Sequence, residues 1–202
     1  MLKLCDVTKS FGEKQVLSGV SLHLERGDIA VLSGMSGGGK TTLLRIAAGL
    51  EKAYGGTVER GGRLAVVFAE ARLFPSATVL ENVMAVMRGD KKENEKRAKE
   101  ILTSFGLADA FSLYPREVSS GMAARVSLAR ALAFDADIYL LDEPFKSLDE
   151  VLKMQVMGDM KVFFGEKAVL IISHDEAEAE AMATKRYKLT DGKLSVIEKD
   201  EP

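Results

Sequence analysis

The chain has 202 residues, 47% hydrophobic and 29% charged, with a formal net charge of −2 and one cysteine. This composition fits an ordinary soluble globular protein, and its bulk charge draws it neither to nucleic acid nor to an anionic membrane surface. The lone Cys5 excludes an internal disulfide and a cysteine-rich metal site and suits a reducing compartment, and no apolar run approaches the roughly 20 residues of a membrane-spanning helix.

Residues 2–8 and 16–24 alternate apolar and polar, as half-exposed strands do, with Gly12 and Glu13 turning the chain between them. Cys5 falls in the first alternation and reads as packing; His23 falls in the second and reads as a surface residue. Residues 29–33 (IAVLS) form a short apolar, partly β-branched run, and a helically spaced run starts at Thr42. Runs 64–68, 138–141 and 168–172 are also continuously apolar, as in a parallel sheet covered on both faces. Helical patterns lie between them, so the class is α/β. From Thr78 to Leu132 the pattern is helical throughout, over 79–88, 92–105 and 122–133. This predicts one domain over 1–202 with a helical subdomain inserted at about 74–133. The charge run 91–97 alternates in sign and reads as a solvated helix face. Residues 186–189 and 194–197, around Asp191 and Gly192, read as a hairpin.

The most informative stretch is GMSGGGKTT at 34–42, which fits G-x-x-x-x-G-K-[ST] with Gly34, Gly39, Lys40 and Thr41 at the fixed positions. A strand before and a helix after supply the context this loop needs. Its glycines let backbone N–H groups converge on a phosphate at a helix N-terminus. Lys40 can then reach the β- and γ-phosphates, and the Thr41 hydroxyl can ligate Mg²⁺. A dinucleotide fingerprint is excluded, because Gly37 and Gly39 would require a small residue where Thr42 stands. The run at 138–141 ends in Asp142 and Glu143, at the carboxyl end of a strand where open α/β sheets bind ligands. Asp142 is placed to hold the magnesium shell, and Glu143 to polarise an attacking water. His174 follows the run at 168–172 after Ser173, where it can sense a γ-phosphate.

Together and in this order, these residues resemble the ATP-binding-cassette ATPases, from residue 1 to about 197. The loop at 34–41 is similar to the Walker A motif, and 138–142 with Glu143 to Walker B. VSSGM at 118–122 looks like the family signature LSGGQ, residues 147–149 like the D-loop, and His174 like the switch histidine. The resemblance implies a P-loop NTPase core with a parallel central sheet, an N-terminal antiparallel β subdomain and an inserted helical subdomain. It further implies that Phe11 stacks on adenine and that Gly34, Met35, Ser36, Gly37, Gly38, Gly39, Lys40, Thr41 and Thr42 bind ATP. Mg²⁺ is implied at Thr41 and, through water, at Asp142, with Glu143 and His174 catalytic. Ser119, Ser120 and Gly121, at the start of a helix beginning near Met122, would contact ATP held by a partner chain, with Asp149 in the D-loop. The implied partners are a second cassette, integral membrane permease subunits and a substrate-binding protein, and no nucleic acid. The implied location is cytoplasmic, peripheral on the inner face of the cell membrane. Residues 74–82 look like the segment after the Q-loop in bacterial importers of the nitrate, sulfonate and taurine type. Leu73 and Phe74 are therefore expected to be partly exposed, to receive a helix of a membrane subunit.

Several positions depart from the family pattern, among them Ala123 and Ala124, where long polar residues are common. Ala69 stands where the Q-loop glutamine is usual, and Ser120 replaces a signature glycine. These departures leave three readings: an importer ATPase, a weakly hydrolysing cassette that pairs with a more standard one, or a non-transport member of the family. Long coiled-coil insertions or tandem cassettes would mark the last, and 202 residues leave no room for them.

Overall fold

The structure is a computed structural model that describes residues 1–52 and 55–197. The chain divides into two compact units, one of residues 1–66, 137–143 and 161–202, the other of residues 67–136 and 144–160.

The first unit carries two sheets. Strands β1 (Leu2–Phe11), β2 (Lys14–Leu24) and β4 (Gly55–Arg60) form an antiparallel sheet in the order β2-β1-β4. Leu2, Leu4 and Val7 of β1 and Leu17, Val20, Leu22 and Leu24 of β2 are buried, which is the alternation read from the sequence. Strands β3 (Ile29–Gly34), β5 (Leu64–Val67), β6 (Ile138–Asp142), β7 (Ala168–Ile172), β8 (Lys185–Thr190) and β9 (Lys193–Ile197) form a second sheet, in the order β5-β6-β7-β3-β8-β9. β6, β7, β3 and β8 are parallel neighbours, and β9 closes the edge as an antiparallel hairpin with β8. Every residue of β6 and β7 is buried. Each large aliphatic side chain there contributes about 1.5–3 kcal/mol of transfer free energy. Tyr139 packs its ring against Phe164 at 5.1 Å and Phe163 at 5.9 Å between centroids. Helix α1 (Lys40–Ala47) follows β3 directly and buries Leu43, Leu44, Ile46 and Ala47.

The second unit is helical. α2 (Val79–Met84), α3 (Lys91–Ser104) and α4 (Ser120–Ala133) pack on one another. Thr78 and Glu81 make a reciprocal capping box on α2, and Asp90 caps α3. The exposed charges of 91–97 cover the outer face of α3, while Ala98 and Leu102 bury the inner one. Two boundaries of these helices differ from expectation by more than one residue. α2 ends at Met84 rather than at residue 88, because Gly89 takes φ 105 and Asp90 is committed to capping the next helix. α4 begins at Ser120 rather than near Met122, because the Ser119 hydroxyl accepts the Met122 N–H as the N-cap.

Helix α5 (Glu150–Phe164) begins in the second unit and ends in the first, and α6 (Glu176–Met182) precedes β8. Neither helix, nor β4, is evident from the sequence pattern. Among the described residues no helix is long and apolar enough to cross a membrane.

Candidate functional site

The register of the large sheet builds the site. β3 and β7 pair Leu32 with Ile172, and β6 and β7 pair Asp142 with Ile172. β6 and β7 therefore end level with Leu32 of β3, which runs on two residues to Gly34, and the residues beyond the three strands share one rim. From β3 comes the loop of residues 34–39, from β6 come Asp142 and Glu143, and from β7 come Ser173 and His174.

Two glycines of the loop, both at positive φ, leave no room for a side chain. A Cβ on Gly34, at φ 143, would lie 2.4 Å from the Leu189 carbonyl oxygen. On Gly39, at φ 97, it would lie 2.8 Å from a Val16 methyl. Gly39 is also the N-cap of α1 and caps it with no side chain, so the first-turn N–H groups remain to be met by something else. Met35, Ser36 and Gly37 are exposed at the crest, and Gly38 N–H donates to the Met35 carbonyl. Lys40 Nζ donates to the carbonyls of Gly34 at 2.7 Å and Met35 at 2.9 Å, so the cation sits at the mouth of its own loop. Thr42 is half-buried on α1. A cavity of about 340 Å³ opens beside the loop, lined by Met35 to Gly38, by Lys14 to Val16 of β2 and by the β8–β9 turn.

Thr41 Oγ1 donates to Asp142 Oδ2 at 2.8 Å. Asp142 is 6% exposed, and burial pushes its carboxyl above the usual range, with the Glu143 charge adding to the rise. The Thr41 hydrogen bond and the Lys40 charge pull the other way. The Thr41 hydroxyl and the Asp142 carboxylate are hard oxygen donors of the kind a small divalent cation takes. Among the described residues no group of three or more His, Cys, Asp or Glu side chains stands ready to hold a metal by itself. A cation here would therefore keep waters and take ligands from a bound phosphate, as Mg²⁺ does.

Glu143 adopts φ 50 immediately after β6, and its N–H donates to the Ile172 carbonyl at 3.0 Å. The turn aims its carboxylate at His174, whose Nδ1 stands 2.9 Å from Oε1 and 2.8 Å from Oε2. An ionised carboxylate only accepts, so Nδ1 carries the proton and Nε2 is left for another partner. Around His174 the backbone is pinned. Ser173 Oγ donates to Glu178 Oε2 at 2.6 Å and accepts from Asp175 N–H at 3.0 Å, and Asp175 caps α6. Glu178 is a buried carboxylate that sequence reasoning missed, because Glu176, Glu178 and Glu180 look alike in an acidic, alanine-rich run.

Phe11 ends β1 with half its surface exposed and the Lys9 ammonium over its ring. The remaining sequence candidates belong to the second unit. Ser119 is spent as the cap of α4, and Ser120 is exposed in its first turn. A Cβ on Gly121 would lie 2.9 Å from the Ser147 carbonyl, which explains a glycine there. Asp149 accepts the Leu152 N–H at 3.0 Å at the start of α5. Ala69 is exposed. Phe74 is 50% exposed, and Leu73 is half-exposed. The loop that presents them is held by the fully buried Asn82, which accepts from Phe74 N–H and donates to the carbonyls of Phe74, Ala77 and Thr78. Arg130 donates to the Arg72 carbonyl and lies 5.2 Å from the Phe74 ring centroid.

Asp142→Asn separates stability from function. A carboxyl whose value is raised in the fold favours folding below its unfolded value, and that favour is lost as pH rises through the raised value. At neutral pH the charged Asp142 is therefore a net cost to the metal-free protein. Asp142→Asn keeps an acceptor for Thr41 and is expected to raise the melting temperature by about 3 °C at pH 7.5 without Mg²⁺. The gain should shrink toward pH 4, and Mg²⁺ should no longer tighten ATP binding. Melting curves across pH check this; an equal or lower melting temperature at pH 7.5 would contradict it.

Residues 17–146 match the family model described as ABC transporter. The chain is 42% identical over 200 residues to the aliphatic sulfonates import ATP-binding protein SsuB 3 of Rhodococcus jostii, covering 96% of this chain and 73% of the relative. It is 40% identical over 192 residues to the aliphatic sulfonates import ATP-binding protein SsuB of Corynebacterium glutamicum, covering 93% and 79%. Among solved structures, it is similar to a dimer of the ATP-binding cassette MJ0796 in a post-hydrolysis state bound to ADP and Pi. The TM-score there is 0.89 at 29% identity, covering 98% of this chain and all of that one. A phosphate-type loop facing an aspartate–glutamate strand end, in a fold and sequence shared this widely, has one explanation: the chain belongs to the ABC transporter family and is one of its ATP-hydrolysing cassettes.

Proposed function

We propose that this chain powers a membrane importer, working from the cytoplasmic face as one of two facing cassettes beneath integral permease subunits. The observation that carries the reading is the 2.8 Å hydrogen bond between Thr41 and Asp142, which joins the phosphate loop to the acidic strand end across 101 residues of chain. In this reading the backbone of 34–42 cradles the phosphates, and Lys40 exchanges its loop carbonyls for β- and γ-oxygens. Phe11 takes the adenine, and the cavity beside the loop receives part of the nucleotide. Thr41 and, through water, Asp142 hold Mg²⁺, which neutralises phosphate charge when bound. Glu143 accepts a proton from the attacking water, and His174, oriented by Glu143, binds the γ-phosphate. Ser119, Ser120 and Gly121 reach ATP on the facing cassette at the start of α4, beside Asp149. The exposed Phe74 and Leu73, on a loop braced by Asn82 and Arg130, receive the permease.

The two relatives above are named for aliphatic sulfonate import. We assign the same cargo class here, captured outside the membrane by a separate binding protein. Ala69 offers no side-chain ligand to cation or water, so turnover by the isolated chain should be low. Reconstitution with the permease and binding protein in liposomes tests the assignment. Phosphate release is expected to rise at least about tenfold when a loaded sulfonate-binding protein is present, as positioned catalytic groups are worth 10²-fold or more. Stimulation by nitrate but not by sulfonates would reassign the cargo. Turnover that needs a different second cassette would show a mixed pair, and no stimulation by any permease would remove the importer reading.

A further inference from the structure

Lys9 is only 5% exposed, although it is a lysine near the end of β1. Burying an ammonium is costly unless it is paired. Its Nζ donates to Glu51 Oε1 at 2.8 Å and to the Lys52 carbonyl at 3.2 Å. The same Nζ stands 4.7 Å from the centroid of the Phe11 ring. The pairing is felt at Glu51, whose carboxyl is held below its usual range chiefly by the hydrogen bond from Lys9. Side chains two apart on a strand share a face, so β1 itself brings Lys9 under Phe11. Phe11 pairs with Lys14 beside the turn, and half its surface stays open.

We propose that Lys9 is a positioning residue for nucleotide binding: fixed by Glu51 and the Lys52 carbonyl, it holds the Phe11 ring in the orientation that stacks on a purine base. The proposal rests on the reading of Phe11 as the adenine platform. An aromatic side chain at an exposed strand end samples several rotamers, and stacking on it requires one of them. A cation over one part of the ring selects that rotamer before the ligand arrives, which removes an ordering cost from binding. It does so without touching the ligand. Its effect should therefore depend on the base and be absent for a ligand that has only phosphates.

Calorimetry of the full chain with ATP and with inorganic tripolyphosphate, both with Mg²⁺, makes the distinction. Lys9→Met is expected to weaken ATP about fivefold and leave tripolyphosphate unchanged. Lys9→Arg, which keeps the charge and the ring contact, should recover ATP affinity to within about twofold of the parent. Glu51→Ala leaves the ammonium but frees it, and should give a smaller loss of the same kind; it serves if Lys9→Met folds poorly. In the Phe11→Ala background, Lys9→Met should cost nothing further. Equal loss for both ligands would mean that Lys9 only supports the fold, and unchanged ATP affinity in Lys9→Met would mean that the ring needs no support; either overturns the proposal. If Phe11→Ala itself binds ATP as well as the parent, the adenine platform is misassigned and the proposal falls with it. Loss in Phe11→Ala but not in Lys9→Met or Glu51→Ala would remove the role of Lys9 alone.

Discussion

Glu143→Gln is expected to stop ATP turnover while leaving Mg-ATP bound. On the proposed reading, Glu143 is the side chain that accepts a proton from the attacking water, and an amide cannot. Loss of a general base costs about 10²–10⁴-fold in rate. The backbone should tolerate the change, because φ 50 at this position is held by the N–H bond to Ile172 and by strand register, not by the charge. Glutamine also keeps an oxygen that can accept the His174 Nδ1–H, so His174 should stay in place. The consequence reaches beyond rate. If each nucleotide is shared between two cassettes, a chain that binds ATP but cannot cleave it should accumulate as a dimer, whereas the parent without nucleotide should be monomeric. Phosphate release and light scattering with Mg-ATP test both halves. A variant retaining more than about a tenth of parental turnover would move the base elsewhere. A variant that binds ATP but stays monomeric at high concentration would point to a different partner cassette.

Lys40→Ala is expected to weaken Mg-ATP about 10²-fold or more, and to leave melting temperature nearly unchanged. Lys40 is partly exposed, and among the described residues its ammonium donates to carbonyls of its own loop, so little of the fold depends on it. Those two carbonyl bonds place the cation at the loop mouth, where β- and γ-phosphates would arrive. Each charge-assisted hydrogen bond lost there is worth about 1.5–3 kcal/mol. Tripolyphosphate should suffer as much as ATP, the opposite of the pattern expected for Lys9. Equal affinity of Lys40→Ala and the parent would remove the loop at 34–42 from phosphate binding.

The parts of this molecule that could be read from sequence are those in which one physical demand acts alone. β3, β6 and β7 are buried on both faces, so their residues are apolar without interruption. The loop at 34–42 needs backbone freedom and a cation at fixed spacing. α5 was hidden because its outer face is not polar: Val151, Met154 and Val162 are exposed, and they blur the stripe formed by Val156, Met157, Met160 and Phe164. β4 was hidden because most of its residues are exposed and Gly55 and Gly56 open it. Within the site, Lys40 was visible from its place in the glycine loop, and Asp142, Glu143 and His174 because they follow apolar runs. Glu178 and Lys9 were not. Their importance lies in burial, and a buried carboxylate or ammonium looks in sequence like any solvated one.

The strand order has a consequence for how the protein is made. β3, which leads into the phosphate loop, pairs with β7 on one side and β8 on the other. A chain growing on the ribosome completes β3 at Gly34 but meets neither neighbour until residues 168–190 have emerged. At about 5–20 residues per second that interval lasts roughly 7–30 seconds, during which an apolar strand waits with both edges bare. The nucleotide site cannot mature before then, because His174 lies beyond β7. On the proposed reading, vectorial synthesis leaves any chain that has not reached His174 without its γ-phosphate contact. It also concentrates the hazard of misassociation in one segment, residues 29–34, which ribosome-associated chaperones would have most reason to shield.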